Sequence, residues 1–315
     1  MSKIDILVNT PGTKLKKEKK YLVVENKKLT KRIPLKDVKT ISLGENILVS
    51  VNSLLLMIEE NIAVFLVNWK NEVIGEISNV NGRSKGKRLI NQLNISNDVV
   101  GLKLSRSWII EKIQKIIEHL EELKSNKKKI EEIKMVMVMI KETTKKESIR
   151  GFEGRVGRIY FKELRKFSNS EERILPRNQR PAIDSFNQSL NYTYGILYRK
   201  LNYLFLIYKV EPTIGFFHTN ESNKDALVFD FIERYRIYFL KNIYALFQKG
   251  EISRKLYEKS NEKYVLTKEG KYFLRGEFDK VLRKRAHKKS KLSLEEQIRE
   301  DIKELREIID DFSSI

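Results

Sequence analysis

The sequence contains no cysteine, and its only histidines lie at positions 119, 218 and 287. The absence of cysteine excludes thiolate catalysis, disulfide bonds and structural zinc sites of the cysteine type. Three scattered histidines exclude a histidine-rich metal centre, so any metal site must be dominated by carboxylates. A chain without cysteine fits a reducing compartment, and we expect a cytoplasmic protein.

Long apolar stretches are also missing. The sequence has no run of about 18 apolar residues, the length that a membrane-spanning helix needs. Its first residues enter a strand pattern directly, without the features of a signal peptide. We therefore expect no contact with a membrane.

What the chain has in excess is positive charge. It carries 63 Lys and Arg against 42 Asp and Glu, a formal net charge of +21. An excess of this size favours a polyanionic partner, most simply nucleic acid, although a lysine-rich composition can also serve only to solvate a surface. With 315 residues, 41% of them hydrophobic, the chain is long enough for two domains with cores of their own.

The patterns predict an α+β protein with a small N-terminal β-rich domain over residues 1–80. A basic linker over residues 81–97 joins it to a larger all-α catalytic domain over residues 98–315. Short β-branched runs separated by Gly, Pro and Asn predict the strands, and Ser50 is the expected N-cap of a single helix, Val51–Glu60. The β-rich domain shows no catalytic constellation, so we expect it to act as a scaffold or in dimerisation.

Helical periodicity dominates the larger domain. Isoleucines and leucines from Ile109 to Leu123 and from Ile130 to Ile140 predict an antiparallel helical hairpin. Asp184 is the expected N-cap of a helix that ends near Lys209, and Glu262–Phe278 resembles a helix-turn-helix segment. The basic run 283–291 is suited to clamp nucleic acid, and a capping box at Ser293 begins the last helix.

Two carboxylates interrupt the apolar segment from Leu227 to Phe247. Asp230 and Glu233 are three residues apart, hence on one face of a helix that should be largely buried. A buried carboxylate requires compensation. It can be local, from Arg234 to Asp230 and from Arg236 to Glu233, or it can be a divalent metal held by oxygen ligands and one imidazole, that of His218.

A third carboxylate, Glu153, lies on a helix face made of apolar residues and glycine. On another face of that helix Arg155, Arg158, Lys162 and Arg165 follow one another at helical spacing. A basic stripe beside a buried acid suits a phosphate backbone that is delivered to a metal. The alternative is a solvated helix face with one acid satisfied by a helix N-terminus.

Three segments in this region resemble the signatures of the CRISPR-associated spacer integrase family, in order and in spacing, over about residues 150–240. They are Glu153-Gly followed by Gly-Arg-x-Tyr160-Phe161; Arg180-Pro-x-x-Asp184-x-x-Asn187 followed by Tyr194 and Tyr198; and Gly215-Phe-x-His218 followed by Asp230-x-x-Glu233-x-x-Arg236. The β-rich start, basic linker and helical remainder resemble the two-domain plan of the same family.

The resemblance implies that Glu153, His218 and Glu233 are catalytic and bind Mg²⁺ or Mn²⁺, with Asp230 either behind a ligand or an alternative ligand. The implied reaction is a metal-assisted transesterification in which the 3′-hydroxyl of a short double-stranded DNA fragment, the spacer, attacks a phosphodiester of the CRISPR repeat. The implied partners are a second copy of the chain, bound through the β-rich domain, and a small ferredoxin-like CRISPR adaptation protein. The expected DNA contacts are Arg155, Arg158, Lys162, Arg180, Tyr194, Tyr198 and Arg236.

Two other hypotheses compete with this one. The chain could be a catalytically silent DNA-binding scaffold in which the three side chains are locked in salt bridges. It could also be a general metal nuclease for branched or single-stranded DNA, with no role in integration.

Overall fold

The computed structural model describes residues 4–69, 72–77, 79, 84–168, 174–177, 182, 184–218, 225–252, 256–260, 263–287 and 290–312. The chain divides into two units, Met1–Lys87 and Arg88–Ile315. The first is β-rich and the second is mostly helical, so the predicted α+β fold class is confirmed.

The first unit contains two four-stranded sheets. One has the order β1-β5-β7-β8, with only β8 antiparallel to its neighbour, and the other has the order β4-β3-β2-β6. Helix α1, Val51–Glu59, packs between the sheets, on β2 and β7, and Ser50 accepts a hydrogen bond from the Ser53 amide as its N-cap. The strands are β1 Ile4–Val8, β2 Lys14–Glu18, β3 Tyr21–Glu25, β4 Thr30–Pro34, β5 Val38–Leu43, β6 Leu48–Val49, β7 Ala63–Val67 and β8 Val73–Ile77.

The sequence predicts strands at 4–8, 21–24, 38–43, 62–67 and 72–77, and it does not predict β2, β4 or β6. In β2 only Leu15 is buried, and the four other residues are Lys or Glu that face solvent. With one apolar residue in five, this strand has almost no alternation that could reveal it. It forms because β3 pairs with it along its whole length.

The second unit is built from helices that pack around α3 and α7. Their bounds are α2 Ser84–Asn97, α3 Val99–Glu122, α4 Lys127–Glu142, α5 Lys146–Lys166, α6 Ser185–Tyr208, α7 Ala226–Gln248, α8 Lys268–Arg283 and α9 Leu294–Asp311. The predicted hairpin corresponds to α3 and α4, and Asp184 caps α6 by accepting from the Asn187 amide. Over the described residues, no helix is both long enough and apolar enough to cross a bilayer.

Two details differ from the sequence prediction. Most of the expected linker is helical, since α2 covers Ser84–Asn97 and its residues from Arg88 onwards belong to the second unit. The expected helix-turn-helix segment is instead a strand hairpin, β9 Tyr257–Ser260 with β10 Lys263–Leu266, followed by α8. The second unit is therefore not wholly helical. Thr267 does cap α8, as its position suggested.

The core of the second unit contains a buried imidazole. His119 on α3 is 5% exposed, and its Nδ1 lies 2.6 Å from the hydroxyl of Tyr160 on α5. Burial, with a smaller effect of Lys241, lowers the pKa of His119 from 6.5 to about 4. The sequence places this histidine between glutamates on a helix, but the fold makes it part of the core.

This histidine should make folding sensitive to mild acid. Because its folded-state pKa lies below the unfolded value, the unfolded chain binds more protons between pH 4 and 6.5. Its contribution to stability is complete above that window and is lost as the pH falls through it. We expect wild type to lose roughly 2 kcal/mol more than His119→Gln between about pH 7.5 and pH 5 in urea unfolding. An equal loss in both proteins would contradict the assignment.

Candidate active site

Helix α7 carries two carboxylates into the protein interior. Asp230 is 4% exposed and Glu233 is 7% exposed, and nearly every other side chain around them on the helix is apolar. Hydrogen bonds or opposite charges must compensate each of them. The structure provides a different kind of compensation for each carboxylate.

Asp230 is satisfied by the loop that precedes α7. Its Oδ2 accepts the amide N–H groups of Phe216 at 2.6 Å and Phe217 at 2.9 Å, and its Oδ1 accepts the amide of His218 at 2.9 Å. The same Oδ1 lies 2.5 Å from Nδ1 of the His218 ring. Four contacts therefore tie this carboxylate to the loop, and it lies behind the imidazole.

The expected salt bridge between Asp230 and Arg234 is not formed. Arg234 instead pairs with Glu111 on α3 at 2.9 Å and with Asp301 on α9 at 3.2 Å. The spacing of four residues allows a pair between Asp230 and Arg234, but the Arg234 guanidinium binds acids on two other helices instead. The predicted pair between Glu233 and Arg236 is confirmed.

The loop approaches α7 so closely that position 215 must be glycine. A Cβ on Gly215 would lie 2.8 Å from Cβ of Ala226 and 2.9 Å from Oδ2 of Asp230. Arg150 on α5 holds the loop from the other side, because its guanidinium donates to the carbonyl of Phe217 at 2.5 Å. These contacts fix the position of the backbone that carries the His218 ring.

The His218 ring is oriented with its second nitrogen available. Since Nδ1 contacts Asp230, Nε2 is the atom left to bind a ligand, and within the described part of the chain it has no hydrogen-bond partner. The ring contacts Phe217 and Phe229, with centroid distances of 5.7 and 6.2 Å. A carboxylate on one ring nitrogen is the usual arrangement behind a metal-binding histidine.

Glu233 and Glu153 share a cation. Lys112 on α3 places its Nζ 2.6 Å from Oε1 of Glu153 on α5 and 2.5 Å from Oε2 of Glu233 on α7. The second oxygen of Glu233 pairs with Arg236. Two acids that are 80 residues apart in sequence are therefore joined through one ammonium group.

These charges shift the ionisation of the pair. Burial alone would raise the pKa of Glu233, but the nearby Arg236 and Lys112 outweigh burial and lower it to about 2. Burial likewise opposes the charge on Lys112, yet Glu233 and Glu153 hold its pKa above the usual value for lysine. Glu233 and Lys112 are therefore both charged at neutral pH.

The three predicted catalytic residues line one small recess between α3, α5 and α7. Its walls are Glu153, His218 and Glu233 together with Ser105, Ile109, Phe217 and Asp230. Among the described residues, no three acidic, histidine or cysteine side chains are grouped so that they could hold a metal ion in this conformation. In the recess, the ammonium of Lys112 lies between the two acids. The fold thus brings the three side chains to one place, with an internal cation between the two acids.

A cationic cluster borders this recess. The ring of Tyr194 on α6 lies 5.2 Å from the guanidinium carbon of Arg236 and 5.8 Å from that of Arg177. Burial raises the pKa of Tyr194 to about 12, so the phenol stays neutral. Nε of Arg236 is buried without a hydrogen-bond partner among the described residues. Two guanidinium groups and a phenol are suited to phosphate oxygens.

The other predicted DNA contacts are distributed more widely. Arg155, Arg158 and Lys162 are exposed on α5, and Arg155 pairs with Glu132 at 2.8 Å. Tyr198 donates to Asp225 at 2.5 Å at the start of α7. Arg180 lies outside the described residues.

Sequence reasoning missed Lys112 and Arg177. Lys112 follows Ser105 and Ile109 at spacings of four and three residues, so it lies on a face of α3 that is otherwise buried. A lysine on such a face is a signal that an acid must be near. Arg177 gave no comparable signal, because the loop 174–177 has no periodicity.

Comparison with known proteins identifies the family. The family model described as CRISPR associated protein Cas1 matches residues 6–280. This chain belongs to the Cas1 family.

Several proteins illustrate the range of Cas1 relatives. The chain is 24% identical over 242 residues to the CRISPR-associated exonuclease Cas4/endonuclease Cas1 fusion of Leptospira interrogans, a match that covers 71% of the chain and 44% of the longer fusion. A partial Cas6-RT-Cas1–Cas2 complex has a TM-score of 0.79, 18% identity, and coverage of 98% of this chain and 96% of that one. A casposase bound to its integration product has a TM-score of 0.77 with the same identity and coverage. The structural similarities establish a shared fold.

In this Cas1 protein Asp230 should matter first for folding. Asp230→Asn replaces one carboxylate oxygen by an NH₂ group, which cannot accept, so a single oxygen is left for the amides of residues 216–218. We expect a loss of about 2–4 kcal/mol in urea unfolding, because buried donors lose their acceptor. The matched change Asp279→Asn removes a carboxylate that is 44% exposed, and it should cost less than about 0.5 kcal/mol. Similar losses in the two variants would refute the structural role of Asp230.

Proposed function

We propose that this protein is a divalent-metal-dependent DNA endonuclease and integrase that inserts short DNA fragments into a CRISPR repeat array. The observation that carries the proposal is the convergence of Glu153, His218 and Glu233 on one recess, with Nδ1 of His218 fixed by Asp230. The endonuclease Cas1 part of the Leptospira fusion and the casposase bound to its integration product support the same chemistry.

The types of donor atom in the recess suit a hard divalent ion. Glu153 and Glu233 supply carboxylate oxygens, and His218 supplies Nε2, a set that suits Mg²⁺ or Mn²⁺. The two acids already hold one cation between them, the ammonium of Lys112, so their charges are placed to share another. When bound, such an ion lowers the pKa of an attacking hydroxyl and offsets charge on the transferring phosphoryl group.

The reaction we propose exchanges one phosphodiester for another. The 3′-oxygen of the incoming fragment forms a bond to phosphorus, and the bond from phosphorus to the 3′-oxygen of the repeat breaks. The proton of the attacking hydroxyl passes to solvent, and the leaving 3′-oxygen takes up a proton from solvent to become a hydroxyl. Asp230 keeps His218 oriented throughout. Arg236, Arg177 and Tyr194 border the recess where phosphate oxygens would lie, so we assign them to substrate binding.

We extend the proposal to partners. The exposed cations of α5 would hold the sugar–phosphate backbone of duplex DNA, and the β-rich unit would mediate a homodimer. The Cas6-RT-Cas1–Cas2 assembly supports a small CRISPR adaptation protein as the further partner, which we expect to be ferredoxin-like. A cytoplasmic location remains a prediction from the sequence.

One observation favours a second candidate, the silent DNA-binding scaffold. Glu233 is paired with both Lys112 and Arg236, which is what a site locked in salt bridges would have. That candidate predicts that Mg²⁺ and Mn²⁺ leave the melting temperature unchanged and that no DNA product forms. These two measurements on the wild-type protein therefore distinguish the two functions.

Strand transfer tests the leading proposal. A supercoiled plasmid with a repeat, a short duplex with free 3′-hydroxyl ends and Mn²⁺ should give covalent insertion products. Glu153→Ala, His218→Ala and Glu233→Ala should each lower the rate by about a hundredfold or more, because each removes a ligand of an ion worth several kcal/mol in the transition state.

The control is Glu147→Ala, an exposed acid on the same helix as Glu153, which should keep the wild-type rate. DNA binding should survive in all four variants. Near-normal strand transfer in the three site variants would sink the proposal. Cleavage of branched DNA without insertion into the plasmid would favour the general nuclease.

Salt dependence tests the exposed face of α5. Arg155→Ala, Arg158→Ala and Lys162→Ala should each lower the slope of log affinity against log salt by about one unit, because each removes one phosphate contact. Lys303→Ala on the acid-rich helix α9 should leave the slope unchanged. Unchanged slopes in the α5 variants would show that these residues do not contact phosphates and only carry surface charge.

A further inference from the structure

Lys112 is placed by the fold between two acids that the mechanism needs. Its helix α3 buries Ile109, Ile113 and Ile116 in the core, so the side chain leaves an apolar face and ends at the recess. Its ammonium contacts one oxygen of Glu153 and one of Glu233, while Arg236 occupies only the other oxygen of Glu233. For Glu153, Lys112 is the ion-pair partner that the described residues provide.

Electrostatic repulsion allows only one cation at a time between Glu153 and Glu233. The side chains of Lys112 and Glu153 are each 21% exposed and that of Glu233 is 9% exposed, so water screens their charges weakly. Without a cation the two acids would be left with uncompensated charge on Glu153 and a partly compensated one on Glu233. An ammonium and a divalent ion that both sat between the same carboxylates would repel each other strongly at such short range.

We propose that Lys112 is a positioning residue that holds the two carboxylates together in the metal-free protein and yields its place when a divalent ion binds. This inference rests on the proposed metal site. The flexible four-carbon stem of lysine allows the exchange, because the ammonium can turn out of the site without movement of α3. Binding of the ion thus requires that the internal ion pairs open first.

The exchange predicts opposite changes in two properties. Lys112→Met should lower the melting temperature in EDTA by about 5 °C or more, because it leaves the buried Glu233 and the partly buried Glu153 without their shared cation. It should also tighten Mn²⁺ binding by roughly tenfold or more, since the cation that joins the two acids is gone, while Arg236 stays on the other oxygen of Glu233. If the role of Lys112 were purely structural, its replacement would lower the melting temperature and also weaken Mn²⁺ binding.

The experiment measures Mn²⁺ affinity by calorimetry and melting temperature in EDTA on the full chain. Lys112→Arg keeps the charge, so its affinity should stay within about threefold of wild type. Lys115→Met is the control for Mn²⁺ affinity. Lys115 lies one turn further along α3 and lines a separate groove with Arg234 and Tyr238, so its replacement should leave that affinity unchanged. Lys112→Gln gives a second neutral variant in case the methionine variant fails to fold.

The outcomes separate this inference from the proposed function. If Glu153→Ala abolishes Mn²⁺ binding while Lys112→Met and Lys112→Gln bind no more tightly than wild type, the exchange is refuted and the metal site stands. If neither wild type nor any Lys112 variant binds Mn²⁺, both fail. Tighter binding in the neutral variants, or binding that appears only in them, supports the exchange.

Discussion

The structure around the candidate site depends on one constraint: α7 buries two carboxylates, and each must be compensated inside the protein. Asp230 obtains its compensation from backbone amides, which cannot move away without unfolding the loop before α7. Glu233 obtains its compensation from Lys112 and Arg236, whose long side chains can leave. The first arrangement is permanent and the second is exchangeable. In the proposed metal site this difference would give the two acids separate roles, since a metal ligand must be able to give up its present partner.

The same constraint explains why three helices meet at the recess. Glu153 reaches it from α5, Lys112 from α3 and Glu233 from α7, and α3 packs against both other helices. Their apolar faces fix the helix positions through Ile113, Val156 and Ile237, all buried in one core. The charged groups at the recess therefore rest on a rigid support. Only the side-chain ends need to move for the site to change its cation, which is a modest rearrangement for a packed interior.

Sequence reasoning predicted the parts of this arrangement that follow from local pattern. The periodic isoleucines of α3, the N-caps Ser50 and Asp184, and the pair Glu233–Arg236 all depend on residues close together in the chain. The prediction failed where distant contacts decide. Arg234 took acids from α3 and α9 instead of Asp230, and β10 formed by pairing with β9 where a helix was expected. Lys112 was missed for the same reason, because only the fold shows which acids its ammonium reaches. The resemblance of three motifs to a known family predicted that Glu153, His218 and Glu233 lie together. No local pattern in the sequence predicts it.

The compensated acids also bear on how a protein of net charge +21 would handle DNA at an acidic site, as we propose that it does. Two uncompensated carboxylates in the recess would repel the phosphate that must approach them. With Lys112 in place, or with a divalent ion in its place, the recess does not present that negative charge. The exposed cations of α5 lie on the same helix as Glu153, so a duplex held there would meet a recess that is already compensated. Under the proposed exchange, the exposed cations of α5 would attract DNA in either state, and the identity of the cation between the acids would separate a site that binds from one that reacts.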